Sequence, residues 1–130
     1  MLYALLCFNS ESVVGSWTAE EDAAVMARLD VVHRELAAEG KLGPAARLRP
    51  TAEARTLWKG GEPPLVTDGP YAETKEQMLG FYLVDCAGFE EAVAVARRLE
   101  QANPGVGAYE IRPVSLYLPG SRPADAPPAD

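Results

Sequence analysis

Two runs of this chain are apolar on both of their alternating faces, and nothing else in the sequence restricts the fold as much. In Leu2–Phe8 one set is Leu2, Ala4 and Leu6 and the other Tyr3, Leu5 and Cys7. In Leu79–Cys86 the sets are Leu79, Phe81 and Leu83 against Tyr82, Val84 and Cys86. Successive side chains of a strand point to opposite faces of its sheet. Both runs therefore read as strands that need cover from two sides, in the middle of a sheet.

The rest of the chain supplies two helices to do the covering. Thr18-Ala19-Glu20-Glu21 has the form of a capping box, with Thr18 as N-cap. A helix follows to about Glu39, with Val25, Met26, Leu29, Val32 and Leu36 as its apolar stripe and Gly40 as its left-handed stop. A second helix runs from Phe89 to about Gln101. Glu90 and Glu91 suit its positive end, Arg97 and Arg98 its negative end, and Asn103-Pro104-Gly105 stops it.

Asn9 to Trp17 reads as a polar loop. Lys41 to Leu48 contains Gly43-Pro44, so a strand there is broken or at an edge. Ala52–Trp58 and Leu65–Thr67 read as a hairpin about Lys59-Gly60-Gly61-Glu62. Tyr109–Tyr117 is the last strand, with Pro113 marking an edge position. The Pro-, Ala- and Asp-rich residues 119–130 have nothing to bury and read as a disordered tail, leaving 1–118 as the one domain. The order β-α-β-(hairpin)-β-α-β is that of a ferredoxin-like α+β fold, with both helices on one face of the sheet.

Two helices on one face leave the other face of the central strands uncovered. Burial of one large apolar side chain is worth roughly 1.5–3 kcal/mol, so half a dozen would drive self-association. A face-to-face homodimer is the simplest cover; the competing cover is the chain's own 9–17 and 44–50 segments.

Bulk properties exclude several function classes. A net charge of −7, with no Lys/Arg run longer than two, argues against direct nucleic-acid binding. One histidine and no CxxC pair argue against a zinc site. Cys7 and Cys86 lie inside apolar runs and read as reduced core thiols. Gly60-Gly61 is a turn and no phosphate-binding glycine motif is present, so no cofactor is expected. No stretch approaches a membrane span, and the apolar start lacks the basic flank and cleavage site of a signal peptide, so a cytoplasmic protein is expected.

The segment Val66–Asp85, "VTDGPYAETKEQMLGFYLVD", resembles the signature of the YCII-related family in its DGPF-domain branch. There a DGP-aromatic-AETKE run precedes an apolar strand; Tyr71 stands here for the commoner phenylalanine. The first strand, the helix end Glu35–Gly40 and "YEIRPV" at Tyr109–Val114 fit as well, so the resemblance spans roughly residues 1–118. It implies a dimeric α+β barrel of ferredoxin-like subunits and no defined activity. Structural cousins include a dehalogenase-like enzyme and muconolactone isomerase, and genes of this branch often adjoin those of extracytoplasmic-function sigma factors. A sigma-factor partner is thus one expectation and a small anionic or aromatic ligand another.

Candidate site residues have two readings each. His33 lies about 40° around the helix from Leu29 and so faces the sheet. It is either a hydrogen-bonded histidine at the core's edge or a general acid/base. In the YciI-like branch a His–Asp pair is a proposed catalytic dyad. Aligned on the Ala37–Gly40 helix end, its histidine falls near Leu29, one turn before His33, so the dyad does not transfer residue for residue. Asp68 either shapes an Asx-turn ahead of Gly69-Pro70 or aims a carboxylate at His33 or a substrate. Lys75 is a solvated loop charge or, in a lid or dimer contact, a grip for an anionic group; Arg112 is a strand-face salt bridge or a bidentate grip for a carboxylate; Tyr82 is core, interface or ligand platform. The expected function is a small-molecule-binding or protein-interaction module. The competing function is a cofactor-free isomerase, lyase or dehalogenase using His33 and Asp68 as catalytic residues, with Lys75, Arg112 and Tyr82 binding substrate.

Overall fold

The computed structural model describes residues 1–121. The first strand, β1 (Leu2–Asn9), is followed by a single helical turn, α1 (Glu11–Val14), and a long helix, α2 (Ala19–Ala38). Strand β2 (Leu42–Arg47) comes next, then a hairpin of β3 (Arg55–Trp58) and β4 (Leu65–Asp68). Strand β5 (Gln77–Asp85), helix α3 (Phe89–Ala102) and strand β6 (Ala108–Pro113) follow.

Four strands form one antiparallel sheet in the order β2-β5-β1-β6. Each long helix therefore joins two parallel strands that hold a third between them, the split βαβ arrangement that the element order predicts. The two doubly apolar runs are the central pair, with Leu5 opposite Tyr82 and Leu6 opposite Phe81. The edges go to the strands with proline. β2 shifts register between Leu42 and Ala45, across Gly43-Pro44, and β6 ends at Pro113.

The sequence signals at the ends of α2 are realised. The Thr18 hydroxyl accepts from the Glu21 N–H at 3.1 Å, and the Glu21 carboxylate accepts from the Thr18 N–H at 3.2 Å. At the other end Gly40 has φ 72°; its N–H donates to the Ala37 carbonyl and that of Lys41 to the Leu36 carbonyl. This pair of bonds is a Schellman stop.

The core lies between the helices and one sheet face. Tyr3, Leu5, Val84 and Cys86 meet Val25, Leu29 and Leu36 of α2 and Ala92, Val95, Ala96, Leu99 and Ala102 of α3. Arg98 does not serve the C-terminus of its own helix. It crosses to Glu35 and Glu39 of α2, at 3.0 and 2.8 Å, while Arg28 of α2 donates to the Ala102 carbonyl at 2.8 Å. The cation at the α3 terminus is thus borrowed from the neighbouring helix. Spacing within one helix could not show this.

Three local expectations are corrected. Residues 9–17 are not a plain loop: Ser10 caps α1, and Glu11 accepts from the Thr51 N–H and hydroxyl, both at 2.7 Å. That anchor, with Pro50 before it, makes Thr51–Glu53 a 3-10 turn, so the strand expected from Ala52 begins at Arg55. The last strand stops at Pro113 rather than reaching Tyr117, because its partner β1 itself begins at Leu2, whose carbonyl accepts from the Val114 N–H at 2.9 Å. The expected disordered tail falls mostly on residues 122–130, outside the described residues. No helix among the described residues is long and apolar enough to cross a membrane.

Candidate functional site

The helix-facing side of the sheet is well filled at one end and thinly filled at the other. Its rows run Tyr3–Val84–Leu42, then Leu5–Tyr82–Ala45, then Cys7–Gly80–Arg47, with Tyr109 beside Cys7. The last row offers a thiol, no side chain at all, and an arginine drawn sideways to Asp22 of α2 at 3.1 Å. Glycine is required at position 80, because a Cβ there would lie 2.5 Å from the Ala46 carbonyl oxygen. Under-filling of this row leaves a cavity of about 410 Å³ between α2 and the sheet.

Val25, Met26, Leu29 and His33 of α2 roof the cavity; Cys7, Tyr82 and Tyr109 form its floor. Trp17 and the Asn103–Ala108 turn also line it, with Trp17 close to Asn103. Within that turn Gly107, at φ 121°, lies so close to the Phe8 carbonyl that a Cβ would come to 2.3 Å. Only glycine lets the loop approach β1 in this way.

The polar centre of the cavity is a single hydrogen bond, 2.7 Å between His33 Nε2 and the Tyr82 hydroxyl, with the rings tilted at 53°. Burial lowers the His33 pKa below its usual value, opposed by the nearby Asp30 carboxylate. Burial also raises the Tyr82 phenol and pushes Cys7 and Tyr109 up to about 12. All four groups are therefore uncharged at neutral pH. Cys7 is a protonated thiol that donates to the Leu5 carbonyl, a poor nucleophile.

The family model described as the YCII-related domain matches residues 1–116. The chain belongs to the YCII-related family. A relative from Rhizobium meliloti (strain 1021), the uncharacterised protein R00369, is 55% identical over 124 residues, which is 95% of this chain and all of the relative.

Of the site residues expected from sequence, this YCII-related protein brings two together, His33 and Tyr82. Asp68 does not join them within one chain. It ends β4 with its side chain 96% exposed, 3.6 Å from Arg55, and does not line the cavity. Gly69 beside it does adopt the expected positive φ, 97°. Lys75 is exposed in the loop before β5. Arg112 lies opposite Ala4 on the helix-free face, 3.8 Å from Glu110. Neither of the two cations lines the cavity.

Sequence reading missed Cys7, Tyr109 and Gly80 as cavity residues. Their grouping depends on the pairing of three strands: Cys7 opposes Gly80 on one side and Tyr109 on the other. A weak signal existed in Gly80, a glycine inside an otherwise strong apolar strand, which commonly marks a close backbone approach.

Proposed function

We propose that this YCII-related protein is a face-to-face homodimer that binds a small molecule in the cavity between α2 and the sheet, with His33 and Tyr82 as its polar contacts. The observation that carries the reading is the His33–Tyr82 bond inside a mainly apolar cavity. Cavities of a few hundred Å³, with apolar walls and a few convergent polar groups, are the usual form of ligand sites.

The dimer rests on the other sheet face. Leu2, Ala4, Leu6, Leu79, Phe81 and Leu83 are all half-buried there, with no helix of the described residues across them. The ferredoxin-like subunits would then pair sheet to sheet as a dimeric α+β barrel. The Asp68–Glu76 run supports membership of the DGPF branch, and its Tyr71 ring lies tilted at 37° to Trp58, 5.3 Å between centroids.

An acid/base enzyme would use the same cavity and the same His33. For Asp68 to serve it, the carboxylate would have to arrive from the β3–β4 hairpin of the second copy, since its own hairpin holds it beside Arg55. Native mass spectrometry of the purified protein tests the main reading. A dimer carrying a stoichiometric small ligand supports it. A monomer at high concentration, or a dimer whose ligand survives replacement of both His33 and Tyr82, refutes it.

A further inference from the structure

Resting on that cavity as the binding site, we propose that its ligand is an uncharged, mainly apolar molecule with one hydroxyl or carbonyl oxygen, bound at the Tyr82–His33 pair, and that anions are excluded.

The charges around the cavity decide the sign. Among the described residues its lining holds one permanent cation, Arg47, and two carboxylates, Asp22 and Glu100. Arg47 is already paired with Asp22 at 3.1 Å. Among the described lining residues an entering anion would find no unpaired cation and would meet the Glu100 carboxylate. Burying an ion without a partner is far more costly than burying a neutral oxygen that finds a hydrogen bond. Lys75 and Arg112, the grips expected for an anion, are absent from the lining.

The polar pair suits a neutral oxygen in either direction. If the Tyr82 hydroxyl donates to Nε2, its oxygen is left to accept from a ligand hydroxyl. If Nε2–H donates to Tyr82, the phenol proton is left for a ligand carbonyl. Both arrangements are overall neutral, in keeping with burial that lowers the histidine pKa and raises the phenol's. Val25, Met26 and Leu29 supply an apolar roof for the body of the molecule.

Three bicyclic compounds of one shape separate the alternatives: 1-naphthol, 1-naphthoate and naphthalene, titrated into the full chain at pH 7 and followed by calorimetry and amide chemical shifts. Naphthol is expected to bind at least about tenfold more tightly than naphthoate. Tyr82→Phe should weaken naphthol about threefold to tenfold, the loss of one hydrogen bond, and leave naphthalene unchanged. Ala45→Trp, at an exposed position in the lining, should weaken naphthol and naphthalene alike. Naphthoate binding as tightly as naphthol would overturn the inference while leaving the cavity as the binding site. Failure of all three to bind, or binding indifferent to Ala45→Trp, would remove the cavity itself and the inference with it. The naphthol–naphthoate comparison needs no variant, so it holds even if one misfolds.

Discussion

The two faces of the central strands have nearly the same composition and opposite fates. On one face Leu5 and Val84 are 0% exposed beneath the helices. On the other, one residue along, Leu6 and Leu83 remain half-buried with no described helix over them. Apolar composition alone therefore does not decide what a strand's face becomes; the number of helices available to cover it does. The helix-free face has a surplus of apolar surface. The helix-covered face has the opposite, a deficit of side chains at the Cys7–Gly80 row, where the cavity opens.

The sharpest way to break this contrast is to put charge on the helix-free face. Phe81→Glu with Leu83→Glu changes two apolar residues in each copy of the proposed dimer; counting one copy alone, at roughly 1.5–3 kcal/mol per residue, its Kd should rise at least about a hundredfold to ten-thousandfold. Sedimentation equilibrium should then show a folded monomer. A double variant with the same molecular weight in solution as the parent would mean that this face is not the interface.

Next comes the covered face. Leu5→Ala should cost about 2–5 kcal/mol through a buried cavity, and the cost should not depend on protein concentration. Leu6→Ala should cost less in the monomer, with a melting temperature that falls further on dilution. Urea unfolding at two protein concentrations reads both, and identical concentration dependence for the two variants would contradict the assignment of the faces. A smaller effect, about 1 kcal/mol, is expected for Thr18→Ala, which removes the N-cap hydroxyl that accepts from the Glu21 N–H. It should lower stability equally in monomer and dimer, because the cap lies at the start of α2 and not on the helix-free face.

The architecture was legible where the signal was local. Thr18 and Glu21 began α2, Gly40 ended it, and the prolines at 44 and 113 sent their strands to the sheet edges. His33 was legible as sheet-facing, because four residues from Leu29 returns nearly to the same side of a helix. What it faces was not legible. Asp68 looked the natural partner from its place beside Gly69-Pro70, yet strand pairing sets Tyr82 opposite Leu5, on the face that looks toward α2. The α1 turn was hidden for a similar reason. Four residues carry little intrinsic helical stability, and this turn is held by Ser10, Thr51 and Gln77, the last two distant in sequence.

The smallest expected effect concerns the cavity face alone, and pH isolates it. His33 is half-buried, and that partial burial sets its pKa in the folded protein below the usual histidine value of 6.5. Between those two values the unfolded chain binds a proton that the folded chain does not. The linkage relation then requires stability to fall as pH falls. The penalty is absent well above pH 6.5 and grows on acidification through that value. Asp30 opposes the shift without reversing it. The exposed Glu39 titrates elsewhere. Arg98 and Lys41 hold its carboxyl down to about 2, from 4.5, so its stabilising contribution is present above pH 4.5 and is lost only as pH drops towards 2. The windows do not overlap, and His33→Gln should flatten the melting temperature between about pH 7 and pH 5 while leaving the steeper acid limb below 4.5 in place. Glutamine can keep a hydrogen bond to Tyr82, so the flattening would report the lost titration rather than a lost contact. An unchanged slope across that upper window would mean that the ring gains its proton as readily in the fold as in water, and the cavity would then be wetter and more hospitable to charge than its walls imply.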